Sequence, residues 1–148
     1  MWISKIYVTV DTLVFRKTDN QTQILLIKRK NEPFKGSWAI PGGFVDENED
    51  LEAAAKRELV EETQVKIERV EQLKAFGKPF RDPRFHTVSI AYWGFVPENT
   101  MAKAADDAKE VGWFAIDDLP DLAFDHSEII YYFNTDYIFL HGIRAIKA

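Results

Sequence analysis

Apolar and β-branched residues crowd the stretches from Lys5 to Phe15 and from Gln23 to Ile27, flanked by the turn-like Asp19-Asn20 and Asn31-Glu32-Pro33; the pattern predicts two strands, half or fully buried. A short apolar segment, Trp38-Ala39-Ile40, then runs into Pro41-Gly42-Gly43, where the chain is expected to turn tightly. From Asn48 to Thr63 strong helix formers dominate, which predicts a helix with Asn48 as N-cap and Glu49, Asp50 and Glu52 near the positive end of its dipole. Val65 to Phe76, His86 to Val96 and Val111 to Ile116 read as further strands, the middle one alternating Val88, Ile90, Tyr92 against Thr87, Ser89, Ala91. Within Phe124 to Lys147, the cap-like Asp125-His126-Ser127-Glu128 predicts a last helix from about Ser127; Gly142 stands near its end, which the pattern leaves open. Strands, a central helix, more strands and a final helix imply an α/β sandwich with a mixed sheet.

The central helix carries an anomaly. At helical spacing Leu51, Ala54, Ala55, Glu58, Glu61 and Glu62 share one sector, so an apolar stripe becomes carboxylate in the last turn. Three acids near the negative end of the dipole, with Glu58 and Glu62 as like charges at i, i+4, each cost roughly a few tenths of a kcal/mol or more, so local stability does not explain them. A hard divalent cation does, since Mg²⁺ takes carboxylate oxygens and keeps waters and substrate phosphates as its other ligands. The alternative is a solvated acidic face, the usual meaning of a glutamate-rich helix.

Composition narrows the chemistry. The 148 residues include 4 Trp, 5 Tyr and 11 Phe, material for a sizeable core, and no linker or repeat divides the chain, so one domain spanning 1–148 is expected. Cysteine is absent, which removes disulfides and thiolate chemistry and leaves oxygen or imidazole to hold any metal. A net charge of −5 has the wrong sign for a protein working mainly on nucleic-acid phosphates. The apolar run Ile24 to Ile27 is far short of a membrane span, and Met1-Trp2-Ile3-Ser4-Lys5 does not read as a secretion signal, so the cytoplasm is the expected location.

The spacing Gly43, five residues, Glu49, seven residues, then Arg57-Glu58-Leu59-Val60-Glu61-Glu62-Thr63-Gln64-Val65 resembles the Nudix box G-x5-E-x7-R-E-U-x-E-E-x-G-U, where U is aliphatic. Eight of nine defining positions match, and Gln64 stands where the family has glycine, a position just past the helix that favours a left-handed backbone. The resemblance implies an α+β fold, an α/β/α sandwich with a mixed sheet and a loop-helix-loop catalytic box. It further implies hydrolysis of a nucleoside diphosphate linked to another moiety, with Mg²⁺ or Mn²⁺ as cofactor. Glu58 and Glu62 become the principal metal ligands, Glu61 a further one, a backbone carbonyl near Gly42 or Gly43 completes the site, and Arg57 orients the carboxylates with Glu49 as its ionic partner. Glu58 or Glu61 is a candidate base; outside the box Glu98, Asp106, Asp107 and Glu110 are others.

Lys78-Pro79-Phe80-Arg81-Asp82-Pro83-Arg84, ahead of the strand from His86, offers two arginines on a proline-stiffened loop, suited to phosphate or carboxylate, or else an ordinary charged surface. This Arg-Asp-Pro-Arg segment is similar to ADP-ribose pyrophosphatases of the Nudix family and to the Nudix domain of related NAD-metabolism repressors. Arg81, Arg84 and Arg29 are thus candidate substrate contacts, and ADP-ribose, cleaved to AMP and ribose 5-phosphate, is the expected substrate. Dinucleoside polyphosphates and oxidised nucleoside triphosphates are competing substrates, and a non-catalytic sensor of an NAD-derived ligand is the competing class; no basic recognition helix follows Ile143. The resemblance also implies a homodimer. His86, His126 and His141 lack ligand-like spacing and read as capping, core or surface residues, Phe124-Asp125-His126 as structural, and Tyr131, Tyr132, Phe133, Tyr137 and Phe139 as core or a subunit contact.

Overall fold

The structure, a computed structural model, describes residues 3–137. Its elements are β1 (Tyr7–Lys17), β2 (Thr22–Arg29), β3 (Trp38–Ala39), β4 (Gly42–Phe44), α1 (Leu51–Thr63), β5 (Glu71–Phe76), β6 (Thr87–Phe95), β7 (Ala108–Ala115) and α2 (His126–Tyr132), which runs on into a π-helical turn, Phe133–Tyr137. β1 lies parallel to β6 from Tyr7↔Thr87 to Phe15↔Phe95, and the other pairings between these strands are antiparallel, so the sheet is mixed as expected.

One divergence in this sheet positions the site. β1 and β2 pair only from Phe15↔Ile24 to Lys17↔Thr22; further along, β4 pairs with β1 at Thr9, Val10 and Asp11 while β3 pairs with β2 at Ile27 and Lys28. The Ile40-Pro41 link bridges the parted strands, and the Pro41 carbonyl accepts the Thr12 N–H at 2.9 Å. Helices cover both faces. Ala54 and Ala55 of α1 pack on Val10 and Tyr92, and Leu59 packs on Val14 and Leu25. On the other face Ile129, Ile130 and Phe133 pack on Leu13, Phe15, Ile24 and Leu26. The α/β/α sandwich therefore follows from strands apolar on both sides. No described helix is long and apolar enough to cross a membrane.

Several boundaries differ from the pattern. The N-cap of α1 is Asp50, whose carboxylate accepts the N–H groups of Glu52 and Ala53, whereas Asn48 sits in the preceding turn at φ 62°. Asp50 wins because an aspartate adjoining the first turn satisfies two orphan donors and complements the dipole. Only Glu71–Phe76 of the stretch from Val65 is strand; Val65 and Ile67 are buried as alternation requires, but outside any ladder, as part of the crossing from α1. In β6 the polar set is the more buried one, with Thr87 and Ser89 at 1% and 0% exposure, because both faces of this central strand are covered. The last helix starts at His126; Gly142, near which its end was expected, lies with Phe139 and His141 outside the described residues.

Gln64 keeps the left-handed conformation of the glycine it replaces, at φ 59° and ψ 18°, with its N–H donating to the Val60 carbonyl at 2.9 Å. Relief of about 1–2 kcal/mol of backbone strain, less glycine's extra unfolded-state entropy, makes Gln64→Gly stabilising by roughly 0.5–1 kcal/mol. Thermal unfolding should rise by about 3 °C. An equal rise in Gln64→Ala would show that something other than backbone strain is relieved.

Candidate active site

Arg57 organises the acidic end of α1. Its Nε and Nη2 donate to both oxygens of Glu49 at 2.6 and 2.8 Å, Nη1 donates to Glu58 at 2.8 Å and to Glu61 at 3.1 Å, and Nη2 also reaches the Phe44 carbonyl at 3.1 Å. One planar guanidinium thus ties the loop before α1, β4 and two glutamates of its last turns together, which a point charge on a flexible stem cannot do. Hydrogen bonds from Arg57 hold the Glu49 carboxyl down to about 2. The Arg57–Glu49 pairing is as expected.

Glu58 and Glu62 are held against the turn of glycines. A methyl group at Gly43 would come within 2.5 Å of the Glu58 carboxylate, and the Gly42 N–H donates to Glu62 Oε1 at 2.8 Å. Gly42 itself lies against the Val10 carbonyl and Asp11, so no side chain fits there. Burial pushes Glu62, 4% exposed, up to about 9, against the Gly42 hydrogen bond and with Glu58, Asp11 and Asp107 adding repulsion. Burial raises Glu58 as well, opposed by Arg57. Two carboxyls that resist ionisation side by side form a donor set that a divalent cation relieves. Among the described residues no three acidic, imidazole or thiol groups come together as a metal-holding cluster. Glu61 does not continue the stripe: it is 43% exposed, because Leu59 and Thr63 are buried and turn the packed face away from it.

Glu58 and Glu62, but not Glu61, line a cavity of about 300 Å³ together with Arg29, Arg81 and Arg84. Arg29 donates through Nε to the Pro33 carbonyl at 2.7 Å, and its guanidinium lies 4.9 Å from the centre of the Phe124 ring. Arg84 lies over Phe44 and Phe124 at 5.2 and 5.6 Å and forks onto Asp82 at 2.8 and 3.1 Å. Arg81 is 5% exposed and held bidentately by Asp125 at 2.6 and 2.9 Å. All three sequence candidates reach one cavity, but the two loop arginines each have a carboxylate partner already.

The sequence reading missed Asp11. It is 6% exposed, accepts a short hydrogen bond from Ser89 Oγ, and lies 3.7 Å from His126 Nε2. His126 is buried, accepts the Ile40 N–H on Nδ1 at 3.0 Å, and has its proton affinity lowered by burial, which is the core role among the capping, core and surface roles left open for it. A single acid within Val8-Thr9-Val10-Asp11-Thr12-Leu13-Val14 was the available signal, since a buried strand does not carry an unpaired carboxylate. Of the carboxylates outside the box Asp107 lines the cavity, Asp106 lies near enough to raise Glu58, Glu110 pairs with Lys28 at 3.2 Å, and Glu98 sits beside Arg16. His86 is exposed, as is Tyr131 at 70%, whereas Phe133 and Tyr137 are core.

Residues 8–133 match the model of the NUDIX domain. The ADP-ribose pyrophosphatase of Methanocaldococcus jannaschii is 46% identical over 123 residues, 83% of this chain and 70% of that protein. An ADPR responsive transcriptional repressor of Acinetobacter baylyi is 36% identical over 126 residues, 82% of this chain but only half of the repressor. Among solved structures, the NUDIX domain of Shewanella oneidensis NrtR complexed with ADP ribose superposes with a TM-score of 0.83 at 33% identity, covering 91% of this chain and 90% of that one.

Proposed function

This chain belongs to the NUDIX family, and from that premise we propose that it hydrolyses ADP-ribose to AMP and ribose 5-phosphate with a divalent metal ion. The observation that carries the reading is the single cavity that joins Glu58 and Glu62 to Arg29, Arg81 and Arg84, metal-ligand oxygens and phosphate-binding cations together. Glu58 and Glu62 with a carbonyl of Gly42 or Gly43 would hold Mg²⁺ or Mn²⁺, and Glu61 would serve a further ion. When bound, the metal offsets the charge of the diphosphate and acidifies a water. The chain does the rest. Arg57 fixes Glu58, Gly42 fixes Glu62, and Arg29 and Arg84, stacked on Phe124, meet the diphosphate from the cationic side. Of the candidates Glu98, Asp106, Asp107 and Glu110, Asp107 is the one that lines this cavity, and it would accept the proton of the attacking water.

Incubated with Mg²⁺ or Mn²⁺, the protein should release AMP and ribose 5-phosphate from ADP-ribose in equal amounts, followed by mass spectrometry across a nucleotide panel. Faster turnover of a nucleoside triphosphate or a dinucleoside polyphosphate would reassign the substrate. Tight ADP-ribose binding with no turnover would mark a sensor, the reading that the repressor relatives favour.

A further inference from the structure

The link Ile40-Pro41-Gly42 crosses the gap where β1 and β2 part, and it delivers the N–H that Glu62 accepts. Strand pairing holds its two ends, Ala39 against Ile27 and Gly42 against Asp11, and the Thr12 N–H holds the Pro41 carbonyl. The Ile40 N–H donates instead to a side chain, His126 Nδ1, at 3.0 Å. An accepting Nδ1 leaves the ring proton on Nε2, and burial favours this neutral form. Nε2 faces Asp11 Oδ1 at 3.7 Å, while Asp11 Oδ2 accepts the short hydrogen bond from Ser89 Oγ.

The same Asp11 Oδ1 lies against Gly42, where a methyl group would collide with it and with the Val10 carbonyl. Asp11 therefore stands between His126 and Gly42, clamped from the far side by Ser89. The three side chains are buried and come from β1, β6 and the first residue of α2. A carboxylate buried beside Glu62 adds repulsion there, a cost that an apolar residue would avoid. What an apolar residue cannot provide is a hydrogen-bonded wall behind Gly42 together with a fixed acceptor for Ile40.

We propose that Asp11 and His126 are positioning residues, a buried brace that holds the Ile40-Pro41-Gly42 link so that the Gly42 N–H stays aimed at Glu62 Oε1. They act through Gly42 on the carboxyl that would hold the metal. The consequence for turnover rests on the proposed function, whereas the brace itself is read in the metal-free protein, at the amide of Gly42. His126→Phe removes the acceptor for Ile40 and the group facing Asp11 together. His126→Asn places an oxygen where Nδ1 stood, keeping the acceptor but not the reach to Asp11. Asp11→Asn leaves one oxygen to face both Ser89 and His126.

Amide hydrogen exchange by NMR without metal, Mn²⁺ binding by electron paramagnetic resonance, and steady-state kinetics test the proposal on these variants. In His126→Phe and Asp11→Asn the Gly42 amide should exchange about tenfold faster relative to amides of the β1–β6 ladder. Mn²⁺ affinity should fall roughly tenfold, the lower end of what loss of an outer partner costs a metal site. The kcat should fall with it, while the KM for ADP-ribose stays within roughly threefold. His126→Asn should recover part of each loss, and it carries the test with Asp11→Asn if the phenylalanine variant does not fold. Ile130→Val loosens the packing of α2 away from the brace and should leave relative Gly42 exchange and Mn²⁺ affinity unchanged. Unchanged Gly42 exchange in the His126 and Asp11 variants overturns the brace, as does uniform acceleration across the ladder or an equal effect in Ile130→Val. Faster Gly42 exchange with Mn²⁺ affinity at the wild-type value overturns the action on Glu62. A wild type that binds no Mn²⁺ and turns over no ADP-ribose, with Gly42 exchange still dependent on His126, overturns the assigned reaction and leaves the brace standing.

Discussion

Replacing Glu62 by glutamine should abolish hydrolysis and, in the metal-free protein at pH 8, raise stability. The carboxyl is 4% exposed and is raised from its ordinary value to about 9, with burial as the main cause. In the unfolded chain it ionises near 4.5, so folding above that pH requires proton uptake or burial of a charge. The sign follows: this group's cost is absent below about 4.5, grows as pH rises, and is complete above about 9. Glutamine is neutral throughout, has nearly the same shape, and keeps an oxygen to accept the Gly42 N–H. At pH 8 the substitution should therefore stabilise the metal-free protein by roughly 2–3 kcal/mol, well below the full linkage value because real sites relax. Turnover should fall roughly a thousandfold, since an amide is a poor substitute for an anionic oxygen on Mg²⁺. Urea unfolding in chelator at pH 5 and pH 8 checks the first half: the two proteins should be close at pH 5 and apart at pH 8. A variant no more stable than wild type at pH 8 would mean that Glu62 is ionised without difficulty and that its burial is not the origin of metal affinity. The same linkage makes metal binding release protons, so Mg²⁺ affinity should rise with pH across this range.

How much of this was legible beforehand depends on distance along the chain. The box residues are neighbours on one helix and its leading turn, so helical spacing brought out Glu58 and Glu62, and the resemblance to the Nudix box brought out Arg57, Glu49, the glycines and the left-handed shape at Gln64. Where the prediction failed, tertiary packing had overridden local pattern. Glu61 leaves the stripe because Leu59 and Thr63 take the buried face, and Val65 to Val70 stays out of the sheet because the chain is crossing from α1 to β5. Contacts between distant segments were invisible. Asp125, 44 residues from Arg81, occupies the guanidinium that looked free for phosphate, and Asp11 meets Ser89 and His126 only because β1 pairs with β6 and α2 packs behind them. Phe124, read as structural, turns out to carry two arginines of the site.

Arg57→Ala should produce the second large effect, in which stability and activity fall together. Arg57 is the shared donor of Glu49 and Glu58, whose side chains are only 16% and 13% exposed, and it reaches Glu61 and the Phe44 carbonyl as well. Its removal leaves two poorly solvated carboxylates facing a third, at a cost of about 2–3 kcal/mol, below the usual figure for a buried pair because Arg57 is 27% exposed. Turnover should drop by roughly a hundredfold, the scale seen when a partner that orients a metal ligand is lost. The acid limb of stability reports separately on Glu49. Its carboxyl is held down to about 2 by Arg57, so its contribution is present above about 4.5 and lost as pH falls towards 2. In Arg57→Ala that limb should flatten. Arg57→Lys tests geometry against charge: an ammonium cannot grip both oxygens of Glu49 while donating to Glu58, so stability should recover in part and activity remain at least about tenfold low. Full recovery of turnover in the lysine variant would show that positive charge near Glu58 suffices and that the five hydrogen bonds of the guanidinium are not what holds the proposed metal ligands in place.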